Sequence, residues 1–547
     1  MAAHAVALSL LLVALLPVIG TTSQFSADEG AAIAQAVRLE RGDGWTMTHP
    51  FPAADPEGAA FPFELSVRAG DRYATFAKHP VYPVVLAAVY RVAGRTGMVL
   101  LSVAGTIAAA LLTALLARRL ASELAVPALW MTGLASPLFF DGYVVIAHTI
   151  GAACAAAAAL CVIRALDGAN ATGWLAGAAA AVVAGTLMRT EMQLFAIALS
   201  VAVVVATFRR GRVRWLVAAV PTAAALFGWW LDRRLLATVV SGPSATTASV
   251  TAQSGVVAEK VFAFVVTWLL PSYSLGPGDA LLVVSVVFGA VASRIARTRP
   301  TEHDGVRLFA VVAAAAGVAR LFFGPEVVPG LLIAFPFLLI GVAAARRSTV
   351  SEPTARLMGT GFALFSIAVL ATQYGSGGGG EWGGRYFAIG LPLIVPLGLA
   401  ALAATGRNLD RTTAKIAAGS LVVLSLALSV LAVVALRQAH RDVDAMVAAV
   451  DATSSLHPAL DGGPPVVLSS SGAPARLAFP VVERTRWLTV PAERLGEYAR
   501  RLRDLDVGPV TFVTREKDDL RHLEAVYRFD EETHPSDDWI VVVLRPR

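Results

Sequence analysis

Apolar residues occur in long blocks along the chain, separated by short polar segments. Most blocks are about 20 residues long, which is the length that a helix needs to cross the hydrocarbon core of a bilayer. The pattern predicts thirteen membrane spans, at residues 3–20, 97–117, 123–140, 143–163, 173–189, 191–208, 215–231, 278–293, 306–323, 327–345, 357–373, 387–404 and 416–436. A further apolar stretch, residues 261–271, is too short to cross, and we expect a half-buried or re-entrant segment there.

The pattern changes after residue 436. Short apolar runs predict four β-strands, at residues 466–468, 487–490, 510–513 and 539–544. Residues 492–505 have the spacing of a helix with one charged face. We therefore predict an all-α polytopic membrane domain over residues 1–436, with a long first outer loop at 21–96, followed by a small α/β domain over residues 437–547.

The composition agrees with a membrane protein. Hydrophobic residues make up 56% of the 547 positions, and charged residues make up only 15%. Soluble globular domains contain about 25% charged residues. A single soluble domain and a disordered chain are therefore excluded, and we expect the bilayer, and no nucleic acid, as a partner.

The placement of arginine predicts the orientation in the membrane. Short loops at alternate span ends carry Arg118, Arg119, Arg164, Arg209, Arg210, Arg212, Arg214, Arg294, Arg297, Arg299, Arg346, Arg347, Arg407, Arg411 and Lys415. Because positively charged short loops face the cytoplasm, the N-terminus is predicted inside. Residues 21–96, 232–277, 374–386 and 437–547 are then predicted on the outer face.

The first span has two interpretations. No Lys or Arg precedes it and no A-x-A site follows it, so we favour an uncleaved anchor over a cleaved signal peptide. The preference for arginine over lysine and the abundance of alanine are typical of a GC-rich bacterium. The predicted location is therefore the bacterial plasma membrane, with the C-terminal domain extracytoplasmic.

Five polar pairs lie at the predicted outer ends of the spans. They are Asp28 with Glu29, Lys78 with His79, Asp141 with His148, Arg189 with Glu191, and Arg385 with Tyr386. A charge at the level of the lipid is costly unless it faces a cavity or a partner. Because pairs from distant parts of the chain share one face, we predict a site for an anionic, membrane-embedded ligand that is reached from outside.

The first three pairs also have simpler interpretations. Asp28 and Glu29 could cap an amphipathic helix on the membrane surface, where the helix dipole favours negative charge. Lys78, one of four lysines, could be an interfacial side chain rather than a phosphate ligand. Asp141 could be an ordinary turn residue, whereas His148 lies seven positions on, which predicts a place two turns into the next helix on the same face.

The last two pairs have alternatives of the same kind. Arg189 and Glu191 could form a local ion pair. Arg385 could grip a phosphate bidentately while Tyr386 stacks on a sugar ring or lines an apolar groove. Alternatively, this segment is an aromatic belt beside a flexible glycine-rich loop, which includes Gly375–Gly380.

Taken together, these segments resemble motifs of the membrane glycosyltransferase C-fold superfamily, close to its protein-mannosyltransferase-like and lipid A aminoarabinose-transferase-like branches. The matching segments are Ser26–Gly30 with the acidic motif of the first outer loop, Lys78–Pro83 with a K-P-P-L-Y segment, Ser136–Asp141 and His148 with the turn between the third and fourth spans, Arg189–Glu191 with R-P-E, and Trp382–Tyr386 with W-G-P-R-Y. His79, Thr190 and Gly384 stand where these motifs have proline. The resemblance covers roughly residues 20–405.

The resemblance implies an inverting transfer of a sugar from a polyprenyl-phosphate-linked donor to an envelope glycan, lipid or protein acceptor. It implies that Asp28 is the general base, with Glu29 beside it as the second catalytic candidate, and that Lys78 and Arg385 hold the donor phosphate. The residues that it places in donor or acceptor binding are His79, Asp141, His148, Arg189, Glu191 and Tyr386.

A cofactor is not required by the pattern. Some members of the superfamily bind a divalent cation, and Asp28, Glu29, Asp141 and His148 could supply ligands, but no ligand spacing in the sequence demands one.

Two other classes of function stay open. A secondary transporter commonly shows paired repeats, and we find none between the halves of the chain. A polymerase or ligase of lipid-linked glycans, or a non-catalytic assembly subunit with the same fold, would bind a glycan lipid without turning over a single-sugar donor.

Overall fold

The computed structural model describes residues 1–63, 68–69, 72–76, 78–168, 170–208, 214–239, 257–346, 351–373 and 382–547. The described residues are mostly helical, and they divide into two compact units. One unit comprises Met1–Ile19, Val99–Arg233 and the segment that ends at Leu436. The other comprises Gly20–Met98, a segment that begins at Arg234, and Arg437–Arg547. Each unit is described by itself below.

Nine helices among the described residues are long and apolar enough to cross a membrane. They are Ala2–Ile19, Val81–Arg118, His148–Asp167, Glu191–Phe208, Trp215–Val239, Pro277–Thr298, Pro353–Thr372, Arg385–Gly406 and Arg411–Leu456. The helix Val81–Arg118 is kinked at Gly94, where φ is 59°. The chain is therefore a multi-pass membrane protein.

The predicted count of thirteen spans is not confirmed. The predicted span 123–140 is broken, because Ser136 is extended and its hydroxyl accepts a hydrogen bond from the Leu138 amide at the start of a new helix. The predicted span 327–345 is broken at Pro336, which has no amide hydrogen with which to continue a helix.

Two further predicted spans form helices that differ from the nine. The predicted span 173–189 is the helix Ala171–Thr186, which has only 16 residues. The predicted span 306–323 is the helix His303–Arg320, which carries Asp304, Arg307 and Arg320 within its 18 residues.

Shorter elements complete the first unit. They are Ser122–Leu124, Ala125–Trp130, Met131–Ala135, Pro137–Asp141, Val257–Phe264, Val265–Leu269, Leu331–Ala334 and Phe337–Ala344. The helical segment Val257–Leu269, which overlaps the apolar stretch 261–271, is likewise too short to cross a bilayer. The core of this unit is rich in alanine, including the fully buried Ala152, Ala155 and Ala156, because small side chains allow membrane helices to approach closely.

The second unit contains two sheets. Strands β1 (Thr46–Thr48), β2 (Arg68–Ala69) and β3 (Arg72–Ala74) form an antiparallel sheet in the order β1-β3-β2. The other strands are β4 (Val466–Ser469), β5 (Arg486–Thr489), β6 (Val510–Thr514), β7 (Tyr527–Ser536) and β8 (Trp539–Pro546).

The larger sheet is mixed, in the order β5-β4-β6-β8-β7. Strand β4 is parallel to both β5 and β6, whereas β8 is antiparallel to β6 and β7. Strands β4, β5, β6 and β8 coincide with the four apolar runs of the sequence. Strand β7 was not predicted, because it is an edge strand in which only Tyr527 is buried and the charged residues Asp530, Glu531 and Glu532 follow one another.

The helices that lie wholly within this unit are in the first long loop and in the C-terminal region. They are Ala27–Arg41, Gly472–Leu477, Phe479–Val482, Ala492–Arg494, Leu495–Asp504 and Asp518–Arg521. Residues 20–98, which we grouped with the membrane domain from the sequence, thus form one compact unit with residues 437–547. The physical reason is a set of buried contacts between these two parts of the chain.

One buried network illustrates these contacts. The Asp55 carboxylate accepts hydrogen bonds from the Ala59 amide (2.9 Å), the Ala60 amide (2.7 Å) and the Tyr498 hydroxyl (2.7 Å). It also contacts His49 Nε2 at 2.9 Å. Burial alone would raise the pKa of Asp55, but these hydrogen bonds and the nearby His49 hold it below its ordinary value.

Candidate functional site

The ten residues predicted for the site lie in two clusters, one in each compact unit. The acid cluster contains Asp28, Glu29, Lys78 and Arg476, and His79 lies beside it in the chain. The histidine cluster contains Asp141, His148, Arg189, Glu191, Arg385 and Tyr386.

The two carboxylates of the acid cluster have different surroundings. Ser26 begins the helix Ala27–Arg41, and its hydroxyl accepts a hydrogen bond from the Glu29 amide at 3.3 Å. In return, Glu29 Oε2 accepts a hydrogen bond from the Phe25 amide at 2.7 Å, and the residue is 1% exposed. Ser26 therefore caps the helix, while the Glu29 side chain closes the turn that precedes it.

Asp28 instead faces two cations. Lys78 Nζ donates a hydrogen bond to Asp28 Oδ2 at 3.0 Å. Arg476 Nη1 lies 3.8 Å from Asp28 Oδ1, an ion-pair distance that is too long for a hydrogen bond. The Asp28 side chain keeps 22% of its exposure, so it is the carboxylate of the pair that a ligand can reach.

The position of Lys78 follows from contacts made by the two residues directly after strand β3. Gln35, buried on the helix Ala27–Arg41, accepts a hydrogen bond from the Thr75 hydroxyl at 2.8 Å and another from the Phe76 amide at 3.4 Å. These bonds hold the chain after β3 against the helix that carries Asp28. His79 is buried, and its carbonyl accepts the Tyr82 amide at the start of the helix Val81–Arg118.

In the histidine cluster, Asp141 and His148 form a close pair. His148 Nδ1 lies 3.6 Å from Asp141 Oδ2, and both side chains are buried. The expected helical spacing was wrong, because Asp141 ends the helix Pro137–Asp141 and His148 begins the helix His148–Asp167. A turn between the two helices, rather than two helical turns, brings the side chains together.

Arg189 and Glu191 form the local ion pair that was the simpler interpretation. Arg189 Nε donates to Glu191 Oε2 at 3.0 Å, and Nη2 donates to Oε1 at 2.6 Å. These two hydrogen bonds use one edge of the Arg189 guanidinium group, and both side chains are mostly buried.

The segment around Arg385 has an unusual backbone. Gly383 and Gly384 have φ of 62° and 61°, and their amides donate hydrogen bonds to the carbonyls of Val328 (2.8 Å) and Pro329 (2.7 Å). A proline could not adopt this φ, which explains why Gly384 departs from the W-G-P-R-Y motif.

Aromatic rings accompany this turn. Trp382 stacks on Phe140 with ring centroids 5.3 Å apart. The Arg385 guanidinium lies over the Tyr386 ring at 5.1 Å, and Nη2 donates to the Tyr386 hydroxyl at 3.3 Å. The turn therefore packs against the helix Pro137–Asp141 and places Arg385 beside an aromatic surface.

Three segments of the histidine cluster converge. Asp141 lies within electrostatic range of both Arg385 and Arg189. A Cβ atom on Gly151 would lie 3.4 Å from Arg189 Cγ and 3.3 Å from Ile389 Cδ1, so the first turn of the helix His148–Asp167 packs on both segments. The cluster combines two arginines, two carboxylates and a histidine, and the arginines are its groups suited to binding a phosphate.

The described residues do not form a metal site of three or more ligands. No such group of His, Cys, Asp and Glu side chains occurs among them. Asp141 and His148 offer two ligands, whereas Asp28 is flanked by two cations that would repel a metal ion. The sequence allowed a divalent cation without requiring one, and no chemical step below passes through a metal.

Arg476 is the cluster residue that the sequence did not indicate. It is the one charged side chain in the apolar stretch Gly472–Val482, which is a weak signal in a segment without a catalytic motif. The glycine run Gly375–Gly380, for which a flexible loop was one interpretation, lies outside the described residues.

Comparison with solved structures identifies the fold. The chain is similar to ArnT from Cupriavidus metallidurans bound to undecaprenyl phosphate, with a TM-score of 0.51 and 13% sequence identity over 98% of this chain and 97% of that chain. It is also similar to the oligosaccharyltransferase of Archaeoglobus fulgidus in the apo form, with a TM-score of 0.55 and 13% identity over 96% of this chain and 72% of that chain.

The archaeal enzyme in complex with Zn and sulfate matches with a TM-score of 0.51 and 13% identity, over 96% of this chain and 71% of that chain. No family model matches the sequence, and no curated protein sequence is significantly similar to it. The expected resemblance to membrane glycosyltransferases of the C fold is therefore confirmed at the level of the fold. It extends over the C-terminal region, which the sequence motifs did not cover.

Proposed function

We propose that this protein transfers a sugar from a polyprenyl-phosphate-linked donor to an envelope glycan, lipid or protein acceptor at the outer face of a bacterial plasma membrane. The observation that carries the proposal is the Asp28–Lys78 pair, in which an accessible carboxylate and a cation meet at 3.0 Å. The fold supports it, because the similar ArnT structure holds undecaprenyl phosphate.

Asp28 is the proposed general base. The acceptor hydroxyl gives its proton to the Asp28 carboxylate while its oxygen forms a bond to the anomeric carbon of the donor sugar. The bond from that carbon to the phosphate oxygen breaks, and its electron pair leaves with the polyprenyl phosphate. A single displacement of this kind inverts the anomeric configuration. Glu29 acts through its hydrogen bond from the Phe25 amide, which holds the turn that leads into Asp28.

Lys78 and Arg385 are the proposed ligands of the donor phosphate. Negative charge grows on the phosphate as the sugar leaves, and a fixed cation stabilises that charge more in the transition state than in the ground state. A phosphate oxygen at Lys78 Nζ would compete with Asp28 for the same ammonium group. Donor binding would thereby weaken the ion pair that holds the base.

The remaining residues are proposed to position the reactants. His148 and Asp141 form one buried pair, and Arg189 is held by Glu191, so His148 and Arg189 each have a fixed orientation. Tyr386 supplies a ring on which Arg385 rests and on which a sugar or prenyl group can pack. His79 supports the chain next to Lys78 through its buried side chain and its carbonyl.

Transfer from radiolabelled donors tests the proposal. Polyprenyl-phosphate mannose, arabinose, glucose and galactose are each incubated with membranes that contain the wild type, Asp28→Asn, or Asp43→Asn as a matched control. Asp43 is an exposed carboxylate of the same loop. We expect label to enter a product with the wild type and the control, and not with Asp28→Asn.

Two outcomes would overturn the proposal. The absence of transfer from all four donors, with abundant folded protein, would favour a transporter or an assembly subunit. Equal transfer by Asp28→Asn and the wild type would remove Asp28 as the base.

A further inference from the structure

We propose that Arg476, a residue of the C-terminal α/β region, is a positioning residue for Asp28, so that this region forms part of the acid site. The inference rests on the proposed function, and it assigns a role to a part of the chain for which the sequence indicated none. It derives from three observations within one compact unit: the charge contacts of Asp28, the close approach of two backbones, and the burial of Arg476.

The charge contacts fix the orientation of the carboxylate. Arg476 Nη1 faces Asp28 Oδ1 at 3.8 Å, while Lys78 Nζ binds Asp28 Oδ2 at 3.0 Å. Each carboxylate oxygen therefore has a cation of its own. Rotation of the carboxylate would break both contacts, so the two cations together restrict it to one plane.

The backbone that carries Arg476 lies directly against the helix that carries Asp28. A Cβ atom on Gly30 would lie 2.2 Å from the Arg476 carbonyl oxygen and 2.8 Å from its carbonyl carbon. Neither atom belongs to a flexible side chain. The absence of a side chain at Gly30, two positions after Asp28, therefore permits the approach of Arg476.

Neighbouring contacts hold the same two segments in register. The Gln24 amide, oriented to satisfy its neighbours, donates to the Leu477 carbonyl at 3.0 Å and accepts from Arg95 Nη1 at 3.2 Å. Glu483 contacts Arg41 at 2.8 Å and Arg38 at 3.4 Å. Partly exposed ion pairs of this kind contribute little stability, but they define which residues face each other.

The burial of Arg476 indicates why an arginine is present. Its side chain is 8% exposed, and a buried cation is costly unless a carboxylate pairs with it. A purely structural contact in this apolar segment would be served as well by a neutral residue. The attraction between the Arg476 charge and the Asp28 carboxylate offsets the free-energy cost of burying the guanidinium group.

Carboxyl labelling tests the inference without any need for transfer activity. Full-length protein in detergent is treated with a carbodiimide and an amine between pH 2.5 and 6.5, and modification of Asp28 is read by mass spectrometry. Carbodiimides react with the protonated carboxyl group. A cation at this distance makes protonation of the Asp28 carboxylate less favourable. Arg476→Gln should therefore move the midpoint pH of Asp28 labelling up by about one unit.

Three companion variants separate charge from folding. Arg476→Lys should keep the midpoint within about half a pH unit of the wild type, because it restores the charge. Arg484→Gln is the matched control, since Arg484 pairs with Asp451 in the same unit, and its midpoint should equal that of the wild type. Gly30→Ala, which pushes Arg476 away without altering a charged group, should shift the midpoint in the same direction as Arg476→Gln.

An unchanged midpoint in folded Arg476→Gln would overturn the inference. A change in the extent of labelling at an unchanged midpoint would also overturn it, because that result reports exposure of Asp28 rather than a lost charge.

A transfer assay supplies the second readout once a donor is known. Arg476→Gln should lower kcat about tenfold with the donor KM unchanged. The acid limb of the pH–rate profile should also move to higher pH, because Asp28 of the variant becomes protonated at a higher pH than in the wild type. Arg476→Lys should restore most of kcat. If the wild type transfers no sugar, the proposed function fails, while the labelling result still decides the contact between Arg476 and Asp28.

Discussion

At the scale of single residues, the first outer loop shows how two adjacent carboxylates divide structural and chemical roles. The buried Glu29 side chain accepts a hydrogen bond from the Phe25 amide, whereas the partly exposed Asp28 side chain lies between Lys78 and Arg476. The spacing Ser26-x-x-Glu29 is that of a capping box, so the Ser26 cap could be predicted from sequence, whereas the Glu29 side chain binds the Phe25 amide rather than the Ser26 amide. The contact with Arg476 could not, because it joins positions more than 400 residues apart.

Lys78 provides a prediction about donor binding. Lys78→Met should raise the KM for the lipid-linked donor about 10- to 100-fold, because one charge-assisted hydrogen bond to phosphate is lost. Arg385→Met should act in the same direction. Lys415→Met, at an exposed lysine, is the control and should behave as the wild type in a transfer assay. Unchanged donor KM in both variants would exclude these residues as phosphate ligands.

Asp55 provides a prediction about stability and pH. Asp55→Asn should destabilise the protein by about 3 kcal/mol at pH 7, because buried hydrogen bonds to the carboxylate are lost. The pKa of Asp55 is lowered in the folded state, so its contribution is present at neutral pH and disappears as the pH falls below the ordinary value of 3.8.

Thermal unfolding in detergent, followed by tryptophan fluorescence, measures this difference. The wild type and Asp55→Asn should unfold at different temperatures at pH 7, and the difference should shrink as the pH falls below 3.8. A difference that stays constant from neutral pH to well below 3.8 would show that the stabilisation does not depend on the charge of Asp55.

At the scale of elements, the turn Trp382–Tyr386 depends on two glycines with positive φ. Gly384→Ala should destabilise the protein by about 2 kcal/mol or more, because alanine is strained at this φ and its Cβ would lie 2.7 Å from the Thr267 carbonyl oxygen. Gly419→Ala is the control, since a Cβ atom there would meet nothing within 4 Å. Equal melting temperatures of the two variants would contradict the observed turn.

The sequence predicted elements well where a single local signal decides them. Nine apolar blocks became long helices, and four apolar runs became strands of the mixed sheet. It failed where a local break overrides average hydrophobicity, as at Ser136 and Pro336. The edge strand β7 was missed because neither face is continuously buried, and His148 was expected about two turns into its helix although it is the first residue there.

At the scale of the whole molecule, the fold likeness to ArnT covers 98% of the chain at 13% identity. The motifs that suggested this fold lie in residues 20–405, because turns and polar clusters leave a readable pattern there. The C-terminal region carries no such motif, so its place in the fold could not be predicted from the sequence.

The orientation in the membrane stays a prediction that one labelling experiment can test. The native Cys154 and Cys161 are replaced by alanine, and single cysteines are introduced as Thr301→Cys and Leu460→Cys, both at exposed positions. A membrane-impermeant maleimide should label Leu460→Cys in intact cells, and Thr301→Cys only after permeabilisation. The reverse pattern would place the C-terminal region in the cytoplasm.

The most direct test of the central claim is a single-turnover measurement with purified protein and the donor that supports transfer. Donor binding and sugar transfer are followed in the same samples for the wild type and Asp28→Asn. The account predicts that Asp28→Asn binds the donor as tightly as the wild type and transfers the sugar at least about 100-fold more slowly, because only proton removal from the acceptor is lost. Transfer at the wild-type rate, or a loss of donor binding that accounts for the whole defect, would contradict Asp28 as the general base.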